Sequence, residues 1–137
     1  IWAPSMGRKK SEEDNVDGLN HLPYLDWKEW IYKLAEFKYA VHLNPNTIGG
    51  TFSLNCGYLG IPCIGNIHQN TQRLCFPELS IESHDLKTAK DLVQQLKNKN
   101  YYEDISERAK ENYRKHFSEH TYIKQMNKVI KEVTDEK

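Results

Sequence analysis

The residues best suited to chemistry lie between Tyr39 and Asn66, in the stretch YAVHLNPNTIGGTFSLNCGYLGIPCIGN. Gly49 and Gly50 let the backbone turn sharply and leave peptide N–H groups uncovered by side chains. Thr51 to Leu59 follows with helical spacing, placing Phe52, Cys56 and Leu59 on one face. A glycine loop that opens a helix aims unpaired N–H groups and the positive helix end at one point. That is anion-binding chemistry, and it falls on the Gly49-Gly50 loop. The other reading of the two glycines is a tight turn with no ligand. His42 lies near the end of a β-favouring run, Tyr39 to Leu43, on the side where α/β proteins hold ligands. It reads either as a polar contact in a site or as a hydrogen-bonded core histidine.

Further polar residues follow the next strand. Asn66, His68, Asn70 and Thr71 can flank a ligand by the same strand-end rule, and Arg73 can meet a phosphate or an acidic neighbour. His116 and His120 are spaced for one helix face, but Ser118 and Glu119 predict a break between them and no third ligand is near, so no metal site is expected. Cys56, Cys63 and Cys75 form no Cys-x-x-Cys pair and read as reduced, buried thiols of a cytoplasmic protein. Ser53 and Ser80 show no arranged base, and no catalytic residue is assigned.

The elements that must position these groups are legible. Pro45 and the flanking asparagines end the run at Leu43, and Gly60 with Pro62 ends the helix before a short strand at Cys63-Ile64. Upstream, Asp26 caps a helix whose apolar face is Trp27, Trp30, Ile31, Leu34 and Phe37. Downstream, Asn66 to Gln72 is polar and aperiodic, Pro77-Glu78 is a turn, and Leu79 to Ile81 is a brief strand. Asp85 caps a helix striped by Leu86, Ala89, Val93 and Leu96. Two more helices carry Tyr102, Ile105, Ala109 and Tyr113, then Tyr122, Met126, Val129 and Val133. Tyr101, Tyr102, Tyr113 and Tyr122 read as packing residues. This order predicts an α/β domain with a parallel sheet covered by helices on both faces, over residues 19–137.

Residues 1–18 read as a flexible N-terminal segment or edge strand, with Arg8, Lys9 and Lys10 either reaching a phosphate or forming a solvated charge cluster. The abrupt Ile1-Trp2-Ala3-Pro4 start suggests a chain cut from something longer. Lys and Arg total 19, as do Asp and Glu, so no global field draws in nucleic acid or an anionic membrane. No apolar run approaches the ~20 residues of a membrane span.

The ordered set of helix, strand, glycine loop, helix and Gly60-Ile61-Pro62-Cys63-Ile64 resembles the C-terminal half of GT-B-fold glycosyltransferases of the group 1, or family 4, kind. So does the downstream sequence, Phe76 to Ile81, Asp85, Ala89, Leu92 and the tail through Tyr113 and Phe117-Ser118; the resemblance covers Leu19 to Val133. It implies a Rossmann-like three-layer αβα domain that binds a nucleotide-sugar for transfer to a glycan or other acceptor, as in polysaccharide biosynthesis. Loop N–H groups at Gly49, Gly50 and Thr51 would hold the diphosphate, and no cofactor or metal is implied. Many relatives carry two glutamates eight positions apart; aligned on the Gly-x-Pro turn, these fall on Thr47 and Asn55. Thr47 can contact sugar or phosphate and Asn55 a ribose hydroxyl, both without charge, with His42 near the sugar. An N-terminal acceptor-binding domain of the same full-length chain is the implied partner, with the whole protein cytoplasmic or peripheral to a membrane. Two other readings stand beside this one: a nucleotide-sugar epimerase fragment, and a non-catalytic module of the same fold that binds a protein partner.

Overall fold

The computed structural model describes residues 1–3, 15–47 and 49–135. The expectations for Pro4 to Met6 and for the Arg8, Lys9 and Lys10 cluster lie outside the described residues. The chain divides into two units, residues 1–36 and 37–137.

In the first unit, β1 (Trp2–Ala3) pairs in parallel with β2 (Asn20–His21), in the register Trp2 to Asn20 and Ala3 to His21. Helix α1 (Trp27–Leu34) starts where Asp26 requires it. The Asp26 carboxylate accepts from the Lys28 and Glu29 amides at 2.9 Å, and Glu29 Oε2 accepts from the Asp26 amide at 3.0 Å. That reciprocal capping box satisfies otherwise orphaned donors. The expected apolar face needs correction at two positions. Leu34 is buried, but Trp27 is 73% exposed, and Phe37 lies past the helix end. Trp27 occupies the first helical position, ahead of the turn whose face is buried.

In the second unit, β3 (Ala40–His42), β4 (Cys63–Asn66) and β5 (Ser80–Ile81) form a parallel sheet in that order. Ala40 pairs with Cys63 and His42 with Gly65; Gly65 then pairs with Ser80 and Asn66 with Ile81. Parallel neighbours need crossovers. Helix α2 (Thr51–Leu59) supplies the first; α3 (Asn70–Cys75) and a 3-10 turn (Pro77–Leu79) supply the second. The parallel α/β arrangement expected from the element order is therefore present. Every residue of the central β4 is buried.

Three helices follow: α4 (Leu86–Gln95), α5 (Lys99–Phe117) and α6 (Glu119–Asp135). α2, α3 and α5 pack on one another. Ser106 Oγ donates to the Gly60 carbonyl at 2.5 Å, Tyr102 Oη to the Lys38 carbonyl at 2.7 Å, and Asn112 Nδ2 to the Cys75 carbonyl at 3.3 Å. On α4 the buried positions are Ala89 and Leu92, with Leu96 at its C-cap, whereas Leu86 is exposed. Tyr122, expected to pack, needs correction too. It is exposed, as are Met126, Val129 and Val133, and α6 has no buried residue. Periodicity locates a helix face but does not say that anything covers it.

The core beneath β4 contains a polar link. Gln72 Nε2 donates to the Cys63 carbonyl at 2.8 Å, and Gln72 Oε1 accepts from Ser53 Oγ at 2.7 Å. This ties α2, α3 and β4 together with both amide groups satisfied, as burial requires. A Cβ on Gly65 would lie 2.4 Å from Gln72 Oε1, so the glycine makes room for the link.

Candidate functional site

The carboxyl ends of β3 and β4 and the N-terminus of α2 come together around the loop that follows β3. Parallel strands deliver their C-terminal ends to one edge, the edge at which open α/β sheets hold ligands.

Gly50 is the N-cap of α2, with φ 91° and ψ 9°. A side chain there would be strained in this left-handed conformation. It would also collide, since an ideal Cβ lies 1.9 Å from Thr71 Oγ1. Gly49 has φ 104° but open space around it. No side chain caps α2, and its first turn holds no acidic residue. Leu54 N–H is the first to find an intrahelical partner, the Gly50 carbonyl at 3.0 Å. The start of α2, without a side-chain cap, keeps the positive potential of a helix end. Thr51, the first helical residue, is exposed; Asn55 follows one turn later and is half-buried.

The loop is held from below by two buried amide side chains. Asn66 Nδ2 donates to the Asn44 carbonyl at 2.9 Å, and Gln69 Nε2 donates to the Asn46 carbonyl at 2.9 Å. The loop also braces itself, because the Asn46 amide donates to Asn44 Oδ1 at 2.9 Å. Asn66 Oδ1 accepts from the His68 amide at 3.0 Å, so both ends of that side chain are used. Asn66 and Gln69 are 1% and 2% exposed, which identifies them as supports of the loop.

His42 sits half-buried, its ring 5.2 Å from that of Phe52 on α2. Burial lowers its pKa; the Gln69 side chain, as a hydrogen-bonding neighbour, opposes this more weakly. His42 Nδ1 and Gln69 Oε1 are nonetheless both buried without a partner at bonding distance, so Gln69 influences the ring without closing a bond to it. His42 is therefore a neutral imidazole at neutral pH, able to share a hydrogen bond but not to supply a positive charge. Thr71 Oγ1 is also buried without a hydrogen-bond partner, directly over Gly50.

The predicted residues thus separate. His42, Gly49, Gly50 and Thr51 lie on the elements that converge here, with Asn55 one helical turn along. Thr47 is exposed on the approach to Gly49. Of the polar residues after β4, Asn66 is committed to the loop. His68 Nε2 meets the Glu82 carboxylate at 3.0 Å, and Asn70 Oδ1 accepts from Arg73 Nη2 at 2.8 Å. Thr71 alone among them presents an unused hydroxyl beside Gly50. Sequence reading assigns no role to Gln69 or Gln72 and offers Ser53 only as a nucleophile without a base; the roles of all three depend on contacts between distant segments.

The three cysteines are buried and free, as expected. Hydrogen bonding with Cys63, then burial, raises the Cys56 thiol well above its usual range; burial and then Cys63 raise Cys75 to about 11. These are inert thiols. His116 and His120 fall on separate helices, α5 and α6, with extended Ser118 between them. Among the described residues no group of three or more His, Cys, Asp or Glu is placed to hold a metal ion. None of the described helices is long and apolar enough to cross a membrane. No family model, curated protein or solved structure matches this chain.

Proposed function

We propose that this chain is the nucleotide-sugar-binding part of a GT-B-fold glycosyltransferase, its α/β unit being the Rossmann-like C-terminal half. The observation that carries the reading is the uncapped N-terminus of α2, held by the left-handed Gly50 at the carboxyl edge of parallel strands, with an unpartnered Thr71 hydroxyl over it. Backbone amides at Gly49, Gly50 and Thr51, with Thr71 Oγ1, hold the diphosphate. Asn55 hydrogen-bonds a ribose hydroxyl, while Thr47 and neutral His42 lie beside the sugar. Preorganised N–H donors stabilise the charge that builds on the departing nucleoside diphosphate, a role that calls for no metal. The acceptor and any proton-transfer group come from an N-terminal domain of the same full-length protein, which works in the cytoplasm or at a membrane surface on glycan synthesis.

An amide NMR titration with UDP, GDP, ADP and their sugar conjugates tests this reading. Shifts centred on Gly49, Gly50, Thr51, Asn55 and Thr71 with one nucleotide are expected. Unmoved amides with every ligand at millimolar concentration would overturn it. One observation favours a second reading, a partner-binding module of the same fold. Thr47 and Asn55 carry no charge, and Arg73, the cation in the last turn of α3, is turned onto Asn70. That reading predicts no response to any nucleotide-sugar.

A further inference from the structure

Helix α6 spans 17 residues, and every residue from 122 to 135 is exposed. A helix of this length is marginal in water without tertiary packing. This one is also rich in β-branched residues, Ile123, Val129, Ile130, Val133 and Thr134, which favour a helix little by themselves. Its six apolar side chains, Tyr122, Ile123, Met126, Val129, Ile130 and Val133, are between 41% and 61% exposed. At 3.6 residues per turn they share an arc of about 120°. Such a face is built to be covered.

Three features select what covers it. First, between Tyr122 and Val133 charge lies away from the seam; Glu119, one turn before Tyr122, is the one charge on the arc of α6. Lys124, Lys128 and Lys131 fall at the opposite pole, and the arc is bordered mainly by uncharged Gln125, Asn127 and Thr134. Three lysines balance Glu119, Glu132 and Asp135, so the helix has no net charge to direct it to an anionic lipid surface or a strongly charged partner. Second, the seam is self-complementary. Tyr122, Met126, Val129 and Val133 are spaced four, three, four, which reads the same from either end. Antiparallel pairing layers Met126 on Val129 of a second copy and Tyr122 on its Val133. It sets Ile123 beside Ile130 on one flank and Gln125 beside Glu132 on the other, with no like charges opposed. Parallel pairing would set Gln125 against Ile130. Third, the exposed apolar face offers on the order of 600 Å² per copy, near the ~800 Å² per partner of a standard specific interface.

We infer that α6 mediates an antiparallel homodimer, an isologous contact of the kind two-fold symmetry produces. The short seam, two heptads, makes the dimer weak, with a dissociation constant on the order of 10–100 µM.

The test is sedimentation velocity of this chain from about 5 to about 500 µM, with far-UV circular dichroism at each concentration. The chain is expected to shift from monomer to dimer and to gain helicity as it does. Ile130→Glu, at an exposed position away from the core, is expected to abolish the shift while thermal unfolding of the remainder stays cooperative. Gln125→Lys, placed beside Glu132 of the second copy, is expected to tighten the dimer several-fold, and Gln125→Glu to weaken it. A monomer throughout this range overturns the proposal, as does a dimer indifferent to Ile130→Glu. Co-sedimentation of the monomer with phosphatidylglycerol vesicles would give the face to lipid. Protection of α6 amides only in a longer chain carrying an N-terminal domain would give it to that domain.

Discussion

Gly50→Ala should separate the backbone demand of the site from its packing demand. At φ 91° an L-residue is strained, at a cost of about 1–2 kcal/mol. The new methyl would stand 1.9 Å from Thr71 Oγ1 and 3.1 Å from Thr71 Cβ, which forces either α3 or the loop to move. Overpacking of this kind costs about 1–3 kcal/mol, so the total expected loss is about 2–5 kcal/mol. Against a domain stability of about 5–15 kcal/mol that is a large fraction. Thr71→Ala alone removes a hydroxyl with no partner and should change stability by less than about 1 kcal/mol. Combined, the two substitutions should recover the clash but not the backbone strain, giving a coupling of about 1–3 kcal/mol in favour of the double variant. Urea denaturation of all four proteins measures this directly. If Gly50→Ala costs the same in both backgrounds, Thr71 does not crowd Gly50 and the described loop geometry is wrong. If Gly50→Ala costs less than about 0.5 kcal/mol, the left-handed cap itself is refuted.

Three further outcomes follow from the same region and the core beneath it. Burial depresses the His42 pKa below the usual 6.5, so the unfolded chain takes up the proton first. The stability linked to His42 is therefore complete above pH 6.5 and falls as pH drops from there through the folded pKa. An NMR titration should place the ring midpoint below 6.5, lower still in Gln69→Ala; a midpoint at or above 6.5 contradicts the burial. Asn66→Ala leaves the Asn44 carbonyl without its donor and should cost about 1–3 kcal/mol, with faster amide exchange at Asn46 and Gly49 and little change in α5. Equal acceleration throughout the unit would show that Asn66 supports the whole unit and not the loop. Cys75, raised to about 11 and buried, should resist disulfide reagents at pH 8 until the chain unfolds, so its labelling rate should track denaturant; rapid labelling of the native protein would show an open core.

The elements were legible where local chemistry decides them. Asp26 announces α1, Gly60 ends α2, and Asp85 caps the helix that follows it through a side-chain oxygen. What failed were inferences that need a partner segment. Asn66 to Gln72 reads as polar and aperiodic, yet α3 begins at Asn70. Its buried positions include Gln72, and a buried glutamine is indistinguishable from a surface one until the Cys63 carbonyl and Ser53 hydroxyl are in view. The apolar stripe on α6 reads as core for the converse reason. The period of a hydrophobic face is local, while its burial depends on what lies opposite.

The same distinction runs through the site. Gly50 was visible because a left-handed, side-chain-free position admits few residues. Thr71 gained meaning only once α3 carried it over Gly50, and Asn66 and Gln69 only once their amides were seen beneath Asn44 and Asn46. The two amides that set the loop's shape, Asn66 and Gln69, are thus separate from the residues proposed to face a ligand. A loop held by buried amides at the end of β4 and at the N-cap of α3 is shaped without a ligand to order it. Less ordering cost then falls on binding. This division makes the two sets separable by experiment. Asn55→Ala should weaken a ligand while leaving loop exchange unchanged, and Asn66→Ala should loosen the loop first and weaken a ligand in consequence.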